Sequence, residues 1–196
     1  MRLIVAVTGA SGVEMSWYML KAIRAAVSAE GGSPVPCEIH LVISRSAKLT
    51  WQYETDRDIE ELKALADHVY DEDDLAAVIS SGSFITSGMI VMPCSMKTLA
   101  GITSGYAENL IQRAADVCMK ENRRVVLVPR EMPFSKLHLR NMAAATDLGC
   151  VIVPPVLTFY SAQKSMEDQI NHIAGKVLLQ FGLTFEGFRA WDKSEG

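Results

Sequence analysis

The chain has few cysteines, and they form no recognisable metal or redox motif. Its 196 residues include four cysteines, Cys37, Cys94, Cys118 and Cys150, which lie far apart without a C-x-x-C pair or a neighbouring histidine cluster. This spacing argues against a disulfide framework and against a zinc site. We therefore expect four buried free thiols, as in proteins of the reducing cytoplasm, and no metal.

The chain also lacks long apolar runs and an excess of positive charge. No run reaches the roughly 18 apolar residues of a membrane span, and the run at 3–7 is too short for a signal peptide. The formal net charge is −4 at pH 7, without a basic stripe, which argues against membrane and nucleic-acid partners. With 49% hydrophobic and 21% charged residues, we expect one globular domain over residues 1–196.

Short apolar runs alternate with helical patterns along the chain. Five runs are predicted to be strands: 3–7, 39–43, 89–92, 125–128 and 151–153. Helices are predicted at 13–28, at 47–54, from residue 95 and at 165–181, and the charged segment 56–74 is predicted to hold a surface helix. The stretch 30–36 is predicted to be a surface loop. This alternation predicts an α/β fold, a doubly wound and mostly parallel sheet with helices on both faces.

In such a sheet, ligands bind outside the carboxyl ends of the strands. Three of the loops there offer hydroxyls and backbone N–H groups near a helix start, and the fourth offers an Arg–Glu pair. The loops are Gly9–Gly12, Ser44–Ser46, Pro93–Thr98 and Pro129–Pro133. This combination suits a phosphorylated ligand, although each serine taken alone is better explained as a helix N-cap. His138 is the histidine nearest to these loops, and we expect it to be structural.

Several common motifs are missing. The run G-A-S-G lacks the third glycine of a dinucleotide fingerprint and is not a phosphate-binding P-loop. Cys94 has no histidine at the spacing of a cysteine nucleophile.

Seven motifs together resemble one family. They are GASG (9–12), YETD (53–56), ISSGSF (79–84), PCSMKTLAGI (93–102), NLIQRAADV (109–117), LVPREMPFS (127–135) and HLRNM (138–142). The chain resembles the UbiX-type flavin prenyltransferases, and within them the B subunits of bacterial hydroxyarylic (phenolic) acid decarboxylase operons. The resemblance runs from GASG to the FRAW segment near Trp191.

The resemblance implies a flavodoxin-like Rossmann fold and a metal-independent transferase. Such proteins bind FMN and join a dimethylallyl group from dimethylallyl phosphate to N5 and C6 of reduced FMN. The prenylated FMN then serves a UbiD-type decarboxylase. The family forms homo-oligomers, commonly dodecamers, with the active site at a subunit junction. We accordingly expect the tail, about residues 183–196, to pack on a neighbouring subunit.

Site residues are carried over by position in these motifs. The residues expected to bind FMN are Gly9, Ala10, Ser11, Ser44, Ser95, Met96, Lys97, Thr98 and Arg130. The residues expected around the prenyl phosphate are Arg113, Lys120, Tyr160 and Lys176, with Trp191 as an apolar wall. The residues expected to be catalytic are Ser11, Glu54, Glu131, Lys120 and Tyr160.

These residue types agree with the chemistry. Loss of a phosphate leaving group develops negative charge, which Arg113, Lys120 and Lys176 would stabilise. Two carboxylates, Glu54 and Glu131, are available to move protons. Without the resemblance, Lys120 and Lys176 are better explained as solvated helix residues.

The first helix departs from the family pattern. Where the family has G-A-x-Y-G-x-R-L-L, this chain has GVEMSWYML, so that Met15, Ser16 and Tyr18 replace the aromatic residue, the glycine and the arginine. We expect Trp17 and Glu14 to reshape the prenyl slot or to weaken anion binding. The consequence is either a changed preference between phosphate and pyrophosphate donors, or FMN binding without transfer.

Two other functions remain open from the sequence. One is a non-catalytic FMN-binding subunit of a decarboxylase complex, which the unusual first helix favours. The other is a flavin-dependent cysteine-type decarboxylase. Those relatives carry an early histidine, and this chain has no histidine before His40.

Overall fold

The computed structural model describes residues 1–28, 36–160 and 164–190. The strands are β1 (Arg2–Val7), β2 (Glu38–Ile43), β3 (His68–Asp71), β4 (Gly88–Cys94), β5 (Arg124–Pro129) and β6 (Val151–Ile152). The helices are α1 (Met15–Ser28), α2 (Arg45–Glu54), α3 (Ile59–Lys63), α4 (Met96–Ser104), α5 (Leu110–Lys120), α6 (Lys136–Asp147) and α7 (Met166–Leu179). The strands form one parallel sheet in the order β3-β2-β1-β4-β5-β6, which confirms the predicted α/β class.

Apolar side chains on both faces of the sheet explain the continuous hydrophobic strands. In β1, Leu3 and Val5 belong to a core cluster with residues of α1 and α7. Ile4 and Ala6 point to the other face and belong to a cluster with residues of α4 and α5. A central parallel strand is covered on both faces, so it does not show the alternation of apolar and polar residues that a half-exposed strand has.

The strand order reverses beside β1, so the crevice between the ends of β1 and β4 is the expected ligand position. Thr8, which is fully buried, ties these two ends together. Its Oγ1 donates to the carbonyl of Pro93 at 2.9 Å and accepts from the N–H of Ser95 at 2.7 Å. Thr8 was not among the predicted site residues, although it directly precedes the G-A-S-G turn.

The prediction of a surface helix in the segment 56–74 was only partly correct. Helix α3 ends at Lys63, and the residues at 68–71 form β3, which pairs in parallel with β2 from His40 to Ile43. The apolar spacing of IEELKALADHVY fits a helix, but β2 offers an open edge to Val69 and Tyr70, which favour strands. The sheet therefore has six strands rather than the five predicted.

The four cysteines are buried and free, as predicted. No helix in the described part of the chain is long and apolar enough to cross a membrane. Leu183 and Phe185, near the start of the tail, pack against this chain's own core. The tail from Trp191 onward and the predicted loop at 30–35 lie outside the described residues.

Candidate functional site

A cavity of 480 Å³ opens at the carboxyl end of the sheet, and Ser11 and Gly12 of the G-A-S-G turn form part of its wall. This volume lies within the range of about 300–1,000 Å³ that is usual for small-molecule sites. Its polar lining is Ser11, Gly12, Glu14, Glu54, Arg130 and Gln169. Its apolar lining is Met15, Pro155, Leu157, Met166, Ile170 and Ile173. The structure therefore brings together three predicted site residues, Ser11, Glu54 and Arg130, in one largely apolar cavity.

The G-A-S-G turn directs backbone amides into this cavity. Gly12 has a φ of +86°, a conformation that glycine adopts without strain. The amides of Gly12 and Val13, just before α1 begins, donate to Oε2 of Glu54 at 2.7 and 3.3 Å. A helix N-terminus attracts anions, so the Glu54 carboxylate holds a position that a phosphate oxygen also fits.

Gly9 allows the turn to approach α2 closely. A Cβ atom added to Gly9 would lie 2.5 Å from Cβ of Ser46, which is closer than real side chains come. Gly9 is thus needed for the position of the turn.

Arg130, which follows β5, is the cation of this cavity. Its backbone N–H donates to the carbonyl of Cys94 at 3.2 Å. Its Nε is buried and has no hydrogen-bond partner among the described residues. A buried donor without a partner costs free energy, and an anionic or carbonyl oxygen of a ligand would satisfy it.

Glu131 follows Arg130 and is half-buried. Its Oε1 accepts from the N–H of Met132 at 3.0 Å, and it does not line the cavity.

Ser44 and Ser95 are the N-caps of α2 and α4, and their hydroxyl oxygens accept the capping hydrogen bonds. Oγ of Ser44 accepts from the N–H of Ala47 at 3.1 Å. Oγ of Ser95 accepts from the N–H of Thr98 at 3.2 Å. Each hydroxyl keeps its own O–H group, which can donate to a ligand oxygen while the cap is retained.

The neighbours of Ser95 differ in exposure. Met96 is half-buried, whereas Lys97 is exposed and its Nζ lies 3.6 Å from a carboxylate oxygen of Glu108. The Lys97 side chain thus pairs with the segment between α4 and α5.

Tyr160 and Lys176 belong to a second group, built around His172 on α7. The hydroxyl of Tyr160 lies 3.1 Å from Nε2 of His172, and Nζ of Lys176 lies 5.7 Å from the centre of the Phe188 ring. Burial, together with the charge of Lys176, lowers the pKa of His172 and keeps its imidazole neutral. The sequence analysis did not select His172, since only its contact with Tyr160 reveals it. Trp191 lies outside the described residues.

Arg113 and Lys120 are not part of the cavity within one chain. Arg113 donates to the carbonyl of Ser80 at 3.2 Å and to Asp116 at 3.0 Å. Lys120 ends α5 just before β5 begins, and therefore lies at the amino edge of the sheet. A strand of this length separates the two edges by roughly 20 Å. A site that includes Lys120 together with Ser11 is thus not assembled by one chain.

The unusual first helix changes the cavity through Glu14 and Met15, and not through Trp17. Trp17 is absent from the lining, and its ring is covered by the guanidinium of Arg57, with Cζ 3.8 Å from the ring centre. Nε of Arg57 also lies 3.0 Å from Oε1 of Glu14. The expectation that Trp17 reshapes the slot directly is therefore corrected. Trp17 contacts Arg57, which in turn pairs with Glu14 of the lining.

Comparisons with known proteins agree on one family. A sequence model described as Flavoprotein matches residues 1–178. A probable UbiX-like flavin prenyltransferase of Sedimentibacter hydroxybenzoicus is 62% identical, over 98% of this chain and 97% of its own length. A second one, from Escherichia coli, is 48% identical over 97% of this chain and 93% of its own length.

Solved structures give the same result. A dodecameric FMN-dependent Ubix-like decarboxylase from Escherichia coli O157:H7 has a TM-score of 0.89 at 47% identity and covers 98% of this chain and 100% of its own. A structure of AnUbiX (PadA1) in complex with FMN and dimethylallyl pyrophosphate has a TM-score of 0.90 at 47% identity, with 97% of each chain covered. The peptidyl-cysteine decarboxylase EpiD shares only the fold, with a TM-score of 0.53 at 15% identity.

Proposed function

Because the chain belongs to the UbiX-like flavin prenyltransferases of the flavoprotein family, we propose that it transfers a dimethylallyl group to N5 and C6 of reduced FMN. The donor is dimethylallyl phosphate, and the product is prenylated FMN. The observation that carries the proposal is the cavity at the G-A-S-G turn, which Ser11, Glu54 and Arg130 line together. The chain is also 62% identical to a probable UbiX-like flavin prenyltransferase.

The residues of the cavity fit a flavin phosphate ester. Arg130 offers a buried Nε without a partner among the described residues, whereas the amides of Gly12 and Val13 donate to the Glu54 carboxylate, which a ligand oxygen would have to displace. Gly9, Ala10 and Ser11 would hold the flavin from the first loop, and Ser44 and residues 95–98 from the neighbouring loops. When bound, reduced FMN supplies the nucleophilic atoms N5 and C6.

The chain's own residues would exclude water and move protons. The apolar walls from Met15, Leu157 and Ile170 keep water from the allylic group after its C–O bond breaks. Formation of the bond to C6 requires removal of a proton, for which the Glu54 carboxylate, with Ser11 in the same lining, is the candidate base. Glu131 is the candidate acid for the departing phosphate.

A second copy of the chain would complete the phosphate site. Arg113 and Lys120 are partly exposed residues of α5, and neither lines the cavity of its own chain. In a homo-oligomer, these cations from one copy can stabilise the phosphate that leaves the cavity of another, beside Tyr160 and Lys176. A dodecameric relative at 47% identity supports this arrangement.

The product would be used by a UbiD-type decarboxylase in the cytoplasm. The prenylated flavin would leave this cavity as the product and bind to that separate enzyme. The composition and the buried free thiols are compatible with a cytoplasmic setting.

The test is anaerobic incubation of the protein with FMN, dithionite and dimethylallyl phosphate, followed by mass spectrometry of the released flavin. We expect a mass gain of one C5H8 unit, and slower formation in Glu131→Gln. A parallel reaction with dimethylallyl pyrophosphate reports the donor preference that Glu14 and Met15 set. Unmodified FMN with both donors would contradict the proposal and favour the FMN-binding subunit.

A further inference from the structure

The structure assigns a second site, at the amino edge of the sheet: we propose that Glu38, His40 and His68 bind a divalent zinc-type cation. Glu38 and His40 are two residues apart on β2, so their side chains lie on the same face. His68 on β3 pairs in register with His40. One ligand atom from each of the three residues lies within 4.8 Å of the others.

The buried ring of His40 is the strongest indication of a ligand. His40 is 1% exposed, and its Nδ1 lies 2.8 Å from the hydroxyl of Tyr70. Its Nε2 is buried without a hydrogen-bond partner among the described residues and lies 3.5 Å from Oε1 of Glu38. That distance exceeds a normal hydrogen bond. When Nδ1–H donates to Tyr70, the Nε2 lone pair faces a carboxylate oxygen, and a bound cation would stabilise both.

The surroundings of His40 also suit a metal ligand. The Nδ1 contact with Tyr70 provides the partner behind the ligand that metal-binding histidines usually have.

Two imidazoles and one carboxylate form a common zinc ligand set with an open fourth position. The rings of His40 and His68 stack at 4.7 Å with an angle of 16°, and Nε2 of His68 lies 2.8 Å from Oε1 of Glu38. His68 is about half exposed, so its ring has room to move away from Oε1 of Glu38 when an ion enters between them. A cavity of 830 Å³, lined by Glu38 and His68 among others, gives the site access to solvent.

Arg2 opposes the cation without blocking it. Its Nε lies 2.7 Å from Oε2 of Glu38, whereas Oε1 faces the two histidines, so a bound ion would replace the contact between Oε1 and Nε2 of His68. Its charge repels a divalent ion, so Arg2→Gln is expected to tighten zinc binding by about tenfold.

The site is remote from the prenyl-transfer cavity, which lies at the carboxyl edge. A metal here would join β2 to the edge strand β3. Its expected effect is therefore greater thermal stability, with no role in the transfer chemistry.

The experiment uses the full chain without a histidine tag, stripped with a chelator and titrated with ZnCl2 by calorimetry. Co²⁺ is added to a separate metal-free sample, and the visible absorption of the bound ion is recorded. We expect one saturable site per chain, a rise in Tm with zinc, and affinity at least about 100-fold weaker in His68→Gln and Glu38→Gln.

His138→Gln is the matched control, since His138 lies outside this cluster, and it should bind zinc like the parent. Both ligand variants alter partly exposed side chains, and circular dichroism verifies their folding. Absence of saturable binding would overturn the assignment. Binding retained in both ligand variants would also overturn it, because the ion would then sit elsewhere.

Discussion

Substitution of Arg130 by methionine should lower the affinity for FMN without lowering the stability of the FMN-free protein. Nε of Arg130 is buried and has no partner among the described residues. Removal of such a donor relieves a desolvation cost, so the free energy of unfolding of the FMN-free protein should stay equal or rise.

The affinity for FMN should fall at the same time. A hydrogen bond to a charged group contributes about 1.5–3 kcal/mol, which corresponds to a loss of roughly tenfold to more than a hundredfold in Kd. Flavin fluorescence during titration measures Kd, and thermal unfolding of the FMN-free protein measures Tm. Arg130→Lys, which keeps the charge but not the planar guanidinium, is the control and should lose less.

Two results would refute this reasoning. An unchanged Kd would mean that Arg130 does not contact the flavin. A Tm of the FMN-free protein lowered by more than about 4 °C would mean that the guanidinium stabilises the fold, since about 1 kcal/mol corresponds to 2–4 °C in a chain of this size.

Four further predictions follow from the same structure. Glu54→Gln removes the negative charge that accepts hydrogen bonds from the amides of Gly12 and Val13. Single-turnover kinetics should show slower transfer, and FMN binding should not weaken. Equal losses of transfer rate and FMN affinity would contradict a proton-transfer role. Ser95→Ala should lower the free energy of unfolding by about 1 kcal/mol in urea titrations, because the N-cap of α4 is lost, and no change would contradict the cap. The native thiols should resist alkylation at pH 8, since burial raises the pKa of Cys94 to about 12, and rapid labelling before unfolding would count against this. The free energy of unfolding of the metal-free protein should decrease as pH falls below about 6.5. Burial lowers the pKa of His172, so below that pH the unfolded chain binds a proton that the folded chain does not. A Tm that rises between pH 7.5 and pH 5.5 would contradict this prediction.

The strands and their ligand-binding edge were predictable because they depend on local patterns. Continuous apolar runs identified the central strands, and small or polar residues after them identified the loops that form the cavity. The G-A-S-G turn and Arg130 were accordingly placed correctly at the same edge of the sheet. Such features follow from the handedness and alternation of parallel α/β units.

Features that depend on pairing between distant segments were not predictable. Strand β3 fits a helical pattern, and only the open edge of β2 makes it a strand. The cluster of Glu38, His40 and His68 depends on that pairing, so a search for neighbouring histidines in the sequence could not find it. Lys120 was assigned to the site by resemblance, but α5 carries it to the opposite edge of the sheet, away from this chain's own cavity.

The central claim is that this chain forms two bonds on reduced FMN. The most direct measurement uses dimethylallyl phosphate labelled with ¹³C at the two carbons that form these bonds, incubated anaerobically with the protein, FMN and dithionite. NMR of the released flavin should show one labelled carbon bonded to N5 and the other to C6. Labelled carbon found only in the donor or in dimethylallyl alcohol, with FMN unchanged, would contradict the account.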